Sequence, residues 1–226
     1  AAAAAPPRVF FDVGVDGGPV GRVVVELNET EAPGGARLVR ELAQGAGPAR
    51  YARSRFVEVG DGFVRNEGVR PTALDLFLRA DAGREAAASG LEAELSQSAG
   101  HGAAGLLSLV VLNAEEPEET SSLKAVNGRL VRVEDARPAK PNGTGFVLTS
   151  RSAPELDAFC LPVGRVVQGL DVVEALEHVP ANRSARDSPF LAAGLAIGDG
   201  RAAFAKSRLG RPLARVEVQG AGLFAP

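Results

Sequence analysis

Residues 8–27 read RVFFDVGVDGGPVGRVVVEL. Arg8 to Val15 is rich in β-branched and aromatic residues and partly alternating, Asp16-Gly17-Gly18-Pro19 is turn chemistry, and Val20 to Leu27 is a second such run. The spacing predicts an antiparallel hairpin at the start of the domain. Ala32-Pro33 then opens a helical stretch in which Leu38, Val39 and Leu42 share one face, with Gly45 and Gly47 as its stop. Short apolar runs follow at 56–59, 63–64, 106–112, 146–148, 163–167 and 213–218, and a second helix is expected over 170–178. Many short strands, two helices and no regular strand–helix alternation predict a mainly β fold, a barrel capped by helices.

The 226 residues carry 45% hydrophobic and 23% charged side chains, which excludes a disordered chain and suits one large domain. No apolar run approaches the ~18 residues of a membrane-spanning helix. A net charge of −3 argues against sequence-independent nucleic-acid binding. Methionine is absent and the chain opens Ala-Ala-Ala-Ala-Ala-Pro-Pro, the pattern expected of an imported protein after removal of a targeting peptide. Residues 1–7 are expected to be an extended remnant and residues 8–226 a single domain with insertions at about 69–100, 113–141 and 180–212. The first insertion should be partly helical through Leu74, Leu76, Phe77, Leu78, Leu91 and Leu95. The second holds an acidic run, Glu115 to Glu119, and a predicted hairpin of 123–126 with 129–133 about Asn127-Gly128. The third is rich in Pro, Gly and Ala.

Most motifs carry little chemistry. Gly100-His101-Gly102-Ala103-Ala104-Gly105 has the letters of a dinucleotide fingerprint, but it precedes a strand, so no helix N-terminus would meet a pyrophosphate. His101, His178 and Cys160 are the only imidazoles and thiol, too widely spaced for a zinc site or a Cys–His nucleophile, and His178 suits the C-terminal end of a helix. Cys160 reads as a small packed residue in preference to a redox switch, and it has no partner for an internal disulfide. The acidic run lacks the spacing of a calcium loop. Sequons at Asn28, Asn142 and Asn182 matter only if the compartment glycosylates. No metal and no cofactor is implied.

The opening stretch VFFDVGVDGGPVGRVVVELNETEAPGGARLVREL, together with YARSRFVEVGDGFVRNEG (51–68), GLLSLVV (105–111), NGTGFVLT (142–149) and VGRVVQGLDVVEAL (163–176), resembles the cyclophilin family of peptidyl-prolyl cis-trans isomerases, in the family's order. The resemblance implies a closed eight-stranded barrel with two helices. The stretches 124–159 and 188–224 are similar to the divergent chloroplast cyclophilins of plants and algae, which are assigned to the thylakoid lumen.

The barrier to X-Pro rotation is near 20 kcal/mol because the amide is conjugated, so catalysis needs an apolar proline pocket and a donor that favours the twisted amide. The family's donor arginine lies two residues after a strand phenylalanine; counted from Phe56, that position is Glu58. A carboxylate accepts only and carries the opposite charge. Among the groove positions that the resemblance implies, Phe63 keeps the aromatic floor and Leu156 is kept. Val64, Asn66, Val110, Val111, Val147, Glu155 and Cys160 replace the family's Met, Gln, Ala, Asn, Phe, Trp and His, and Gly145 replaces a Gln. Catalytic positions at Glu58, Asn66 and Cys160 are therefore read as degenerate. If the register slips, Arg55 or Arg65 would supply a guanidinium; alternation puts Arg55 on the face of Val57, which leaves Arg65 as the better rescue.

Two readings follow. One is a catalytically degenerate scaffold or assembly subunit that docks on a protein partner, a photosynthetic membrane complex at its lumenal face, through exposed apolar residues such as Phe77, Phe190 and Phe224. Phe77 and Phe190 equally suit the cores of their own insertions. The other is an isomerase or chaperone for proline-containing segments, with an open groove around Phe63.

Overall fold

The computed structural model describes residues 6–45, 49–78, 87–112, 121–126, 129–134, 143–182, 189–200, 202 and 208–225. Strands β1 (Arg8–Val15) and β2 (Gly18–Leu27) form the expected hairpin. Its turn is only Asp16-Gly17, both at positive φ (49° and 85°), the two-residue geometry that matches strand twist. Gly18 and Pro19 open β2, opposite Val15 and Gly14.

Eight strands form one antiparallel sheet in the order β10-β1-β2-β9-β5-β8-β4-β3. The others are β3 (Phe56–Val59), β4 (Phe63–Asn66), β5 (Leu106–Val110), β8 (Phe146–Thr149), β9 (Cys160–Gln168) and β10 (Val216–Leu223). The outer strands approach each other: Arg53 N donates to Val218 O at 2.7 Å, Val218 N donates to Ser54 O at 2.9 Å, and Arg55 bridges Glu217. Those contacts curl the sheet into a nearly closed barrel, the architecture expected. The hairpin β6 (Ser121–Val126) with β7 (Arg129–Glu134) forms a separate two-stranded sheet. Asn127-Gly128, Glu115 to Glu119, Asn142 and residues 1–5 lie outside the described residues.

Inward side chains of the barrel form one core, including Val9, Phe11, Val25, Leu107, Leu109, Phe146, Leu148, Leu161, Val163 and Val218. Phe11, Tyr51, Phe56 and Phe146 pack edge and face with centroids 5.1 to 5.9 Å apart. The expected helices α1 (Pro33–Gln44) and α4 (Leu170–Glu177) cover the barrel through Leu38, Val39 and Leu42, and through Val172, Val173 and Leu176.

The first insertion is anchored to this body. Its helices α2 (Pro71–Leu78) and α3 (Leu91–Ser96) send Leu74, Phe77, Leu91 and Leu95 into the main core. Helix α1 starts at Ala32, which has no capping side chain, and the Glu94 carboxylate of α3 accepts from Gly34 N (2.7 Å) and Gly35 N (3.1 Å) instead. A Cβ at Gly34 would lie 2.6 Å from that carboxylate, so glycine is what admits it. Phe77, expected among the exposed docking side chains, is 2% exposed; burial against the barrel removes it from that role.

In the third insertion, Ala181 bridges Pro212, and the Gly210 carbonyl accepts from Val59 N at 2.7 Å, which lays residues 208–212 along β3. Helix α5 (Pro189–Ala196) has no buried residue, and Phe190 is 86% exposed.

Candidate functional site

Strand alternation sorts the candidate residues onto two faces. In β5, Leu107 and Leu109 face the core while Val110 faces out; in β8, Phe146 and Leu148 face the core while Val147 faces out. Val110, Val147, Leu156 and Cys160 meet in a second, smaller apolar cluster, with Ala153 buried among them and Phe63 and Phe159 partly buried against it. The structure therefore brings Phe63, Val110, Val147, Leu156 and Cys160 into one apolar cluster, the candidate groove. It does not bring Val64 and Val111 there: both belong to the main core, because they occupy the inward positions next to Phe63 and Val110. Glu155, on the short turn of 3-10 helix Pro154–Leu156, is exposed.

The β3–β4 turn holds Phe63 in place. Gly62 has φ 88° and faces the Arg151 side chain, and the Phe63 ring lies over Gly60, where a Cβ would be 2.3 Å from it. The floor beneath is closed, since Cys160 is fully buried. Burial pushes its thiol up to about 12; Arg65 pulls it down and Glu58 pushes it up, each by less than the burial. The thiol thus stays protonated across the physiological range.

Glu58 follows an irregularity in β3. The strand pairs Phe56 with Asn66 and Glu58 with Arg65, a bulge at Val57 that also lets Phe56 and Val59 both face the core. Arg65 Nε lies 2.9 Å from Glu58 Oε2, an ion pair whose nitrogen nevertheless lacks hydrogen-bond alignment. Glu58 sits under the third insertion, where a Cβ on Gly210 would be 2.9 Å from its Cγ.

Asn66, 1% exposed, accepts from Gly68 N at 2.8 Å through Oδ1, while its Nδ2 has no partner among the described residues. Gly68, at φ 77°, crosses within 2.4 Å of Gly145 N when given a Cβ, so only glycine fits this contact with the 144–145 backbone. The Gly145 carbonyl accepts from Val110 N at 2.7 Å, and Thr144 Oγ1 accepts from Val69 N at 3.0 Å. These bonds fix the loops on one side of the candidate groove.

Two constellations escaped the sequence reading. A cleft of about 900 Å³ beside the groove is lined by Arg50, Arg53, Arg55, Arg65, Arg70 and Arg215, together with Asn66, Val110 and Gly145. In a buried one, His101 Nδ1 lies 2.7 Å from Asp157 Oδ1 and His101 Nε2 lies 2.7 Å from Ser108 Oγ. Neither has a signal in spacing, because the partners are seven and 56 positions from His101 in one case and arrive from four chain segments in the other. The Gly100–Gly105 run that contains His101 leads into β5, so it precedes a strand as its position predicts. His178 Nδ1 donates to the Glu174 carbonyl at 2.7 Å, the helix-end role expected. Phe224 is half-buried at the end of β10, its N–H donating to Arg8 O. Among the described residues no group of three or more His, Cys, Asp or Glu could hold a metal ion, and no helix is long and apolar enough to cross a membrane.

Comparison with known proteins matches residues 10–192 to the family described as cyclophilin type peptidyl-prolyl cis-trans isomerase/CLD. The chain is similar to the peptidyl-prolyl cis-trans isomerase CYP26-2, chloroplastic, of Arabidopsis thaliana, with 32% identity over 96% of this chain and 69% of that protein. It is also 30% identical to the peptidyl-prolyl cis-trans isomerase cyp11 of Rhizopus delemar over 78% of this chain and 45% of that protein.

Proposed function

Since the chain belongs to the cyclophilin-type peptidyl-prolyl cis-trans isomerase family, we propose that it uses the family's barrel to bind polypeptide with isomerisation lost or vestigial, as a scaffold or assembly subunit of the chloroplast, in the thylakoid lumen. The observation that carries this reading is the Glu58–Arg65 pair. The position from which the family donates to the proline nitrogen holds an acceptor, and the neighbouring guanidinium is drawn to it. Removing one preorganised donor costs roughly 10²–10³ in rate. The floor is also shallow, with Val147 and Cys160 closed off where larger rings would wall a proline pocket. For docking, Phe190 and Ile197 are 86% and 82% exposed on and beside α5, the apolar surface a protein partner would cover. A lumenal photosynthetic membrane complex is the partner this reading nominates.

A second reading, a working isomerase with a rebuilt pocket, is favoured by one feature. Arg65 is held by charge without an aligned hydrogen bond and lines the same cleft as Asn66 and Val110, so its guanidinium is able to turn toward a bound prolyl amide. The test is an exchange or protease-coupled assay of X-Pro isomerisation on the natural chain, Glu58→Arg and Arg65→Ala. Rates at the uncatalysed level for the natural chain support the first reading. Clear turnover that collapses in Arg65→Ala refutes it and establishes the second.

A further inference from the structure

The arginine-walled cleft carries an inference about what reaches the groove. Its six guanidinium groups come from the segment before β3 (Arg50, Arg53, Arg55), from β4 (Arg65), from the turn after β4 (Arg70) and from the entrance of β10 (Arg215). Arg65 and Arg215 have carboxylates beside them, Glu58 at 2.9 Å and Glu217 at 2.6 Å. Among the described residues Arg50, Arg53, Arg55 and Arg70 have no ion-pair partner, and Glu67 is the only acidic side chain in the lining. The chain as a whole carries a net charge of −3, so this is a local concentration of positive charge against the overall balance. Two polar atoms of the walls, Ser54 Oγ and Asn66 Nδ2, are buried without partners among the described residues. The cleft adjoins the candidate groove at Val110, which belongs to both.

We infer that this cleft binds an acidic polypeptide segment, a run of Asp or Glu side chains adjoining the residues that enter the groove. Guanidinium forks match carboxylates in shape as well as charge. Peptide is favoured over nucleic acid because the positive charge is confined to a cleft that adjoins, at Val110, the apolar cluster of Phe63 and Leu156, on a chain of negative net charge. The inference extends the polypeptide-binding reading to a class of sequence, but the cleft's contribution is measurable apart from the groove's.

The test measures fluorescence anisotropy with labelled peptides that share an Ala-Pro centre and differ in one flank, Glu-rich, Gln-rich or Lys-rich. A Glu-rich peptide without proline isolates the cleft. The variants are Arg53→Gly and the pair Arg50→Ser with Arg55→Ser. Arg53 has φ 73°, where glycine is less strained, so that variant removes a charge without threatening the fold, and circular dichroism checks the other. Binding of the Glu-rich peptides should exceed that of the Gln-rich one by on the order of tenfold at low salt, with the advantage falling in both variants and at high salt. Equal binding of the Glu-rich and Gln-rich peptides overturns the inference, as does an acidic preference that both variants keep. A short oligonucleotide that binds more tightly than the Glu-rich peptides overturns it as well. If the proline-free acidic peptide binds while the Ala-Pro centre adds nothing, the groove reading fails and the cleft stands.

Discussion

Cys160 is the only thiol in the chain, so a thiol reagent reads one buried position on the floor of the candidate groove. With its pKa pushed up to about 12, the thiolate fraction at pH 8 is about 10⁻⁴. In the unfolded chain, at a pKa near 8.5, the fraction is about a quarter. On thiolate fraction alone, reaction with an aromatic disulfide reagent at pH 8 should be roughly 10³-fold slower in the native protein than in concentrated guanidinium; the higher nucleophilicity of a high-pKa thiolate offsets part of this and steric exclusion adds to it. Global opening, populated about 10⁻⁴ of the time or less in a marginally stable domain, sets a floor of similar size. The native rate should climb about tenfold per pH unit between 8 and 10, while the unfolded rate levels off above pH ~9. Two substitutions identify the cause. Arg65→Ala removes a pull downward and should slow the reaction, and Glu58→Gln removes a push upward and should speed it, each modestly beside the effect of burial. A native thiol that reacts within about tenfold of the unfolded one, or substitutions that act with the opposite signs, would refute the closed floor described above. The same shift bears on stability. A group whose pKa is raised on folding contributes fully below its unfolded value, so stability should be lost as pH rises from about 9 toward 12, on the order of a few kcal/mol in a denaturant titration.

Three further outcomes are expected from stability measurements. Tyr51 buries its hydroxyl without a partner among the described residues, and burial pushes its pKa well above the ordinary phenol value; Tyr51→Phe should be neutral or raise stability by up to about 1 kcal/mol, measured by urea titration. Glu94→Ala should cost about 1–2 kcal/mol in the same assay, because two amide groups at the start of α1 lose their acceptor and the helix dipole its charge. His101→Ala should cost about 2–4 kcal/mol in thermal or urea unfolding, since it leaves a void and the buried Ser108 hydroxyl without its partner.

The barrel was legible because β-branched residues recur at strand spacing, and α1 because Leu38, Val39 and Leu42 repeat at helical spacing. What lay outside that signal was how elements are covered. In α2, Leu74 and Phe77 share a face by their spacing, yet nothing in a spacing of three says whether solvent or a barrel lies opposite; the barrel does. Gly18-Pro19 read as turn residues, but a proline at a strand start gives up no ladder bond that the strand needs, and the turn contracts to Asp16-Gly17. At the site, the resemblance located Phe63, Val110, Val147, Leu156 and Cys160, which do meet. It also offered Val64 and Val111, which strand alternation turns inward. The bulge at Val57 has no mark in the letters FVEV, and it is what sets Glu58 against Arg65. The arginines at 50, 53 and 55 are near neighbours in the chain, but their convergence with Arg215 is a property of barrel closure.

Barrel closure and alternation also explain why a Ser–His–Asp arrangement here is structural. The distances alone, 2.7 Å on each side of the imidazole, would suit nucleophilic catalysis. Catalysis needs the hydroxyl at an accessible surface and the carboxylate shielded behind the imidazole. This protein has the reverse order, with Ser108 and His101 fully buried and the Asp157 side chain 46% exposed. The carboxylate also accepts from the His101 backbone N–H at 2.6 Å, and the His101 carbonyl takes N–H of Ala153 and the hydroxyl of Ser152. The histidine thereby ties the loop before β5, the outward face of β5 and the turn that carries Leu156. Ser108 and Val110 lie on the same face of that strand, so the network, one end of it being Ser108, buttresses the face that carries the candidate groove. A substitution at His101 should therefore register first as lost stability, and as altered groove binding only to the extent that Leu156 and Val110 move with it.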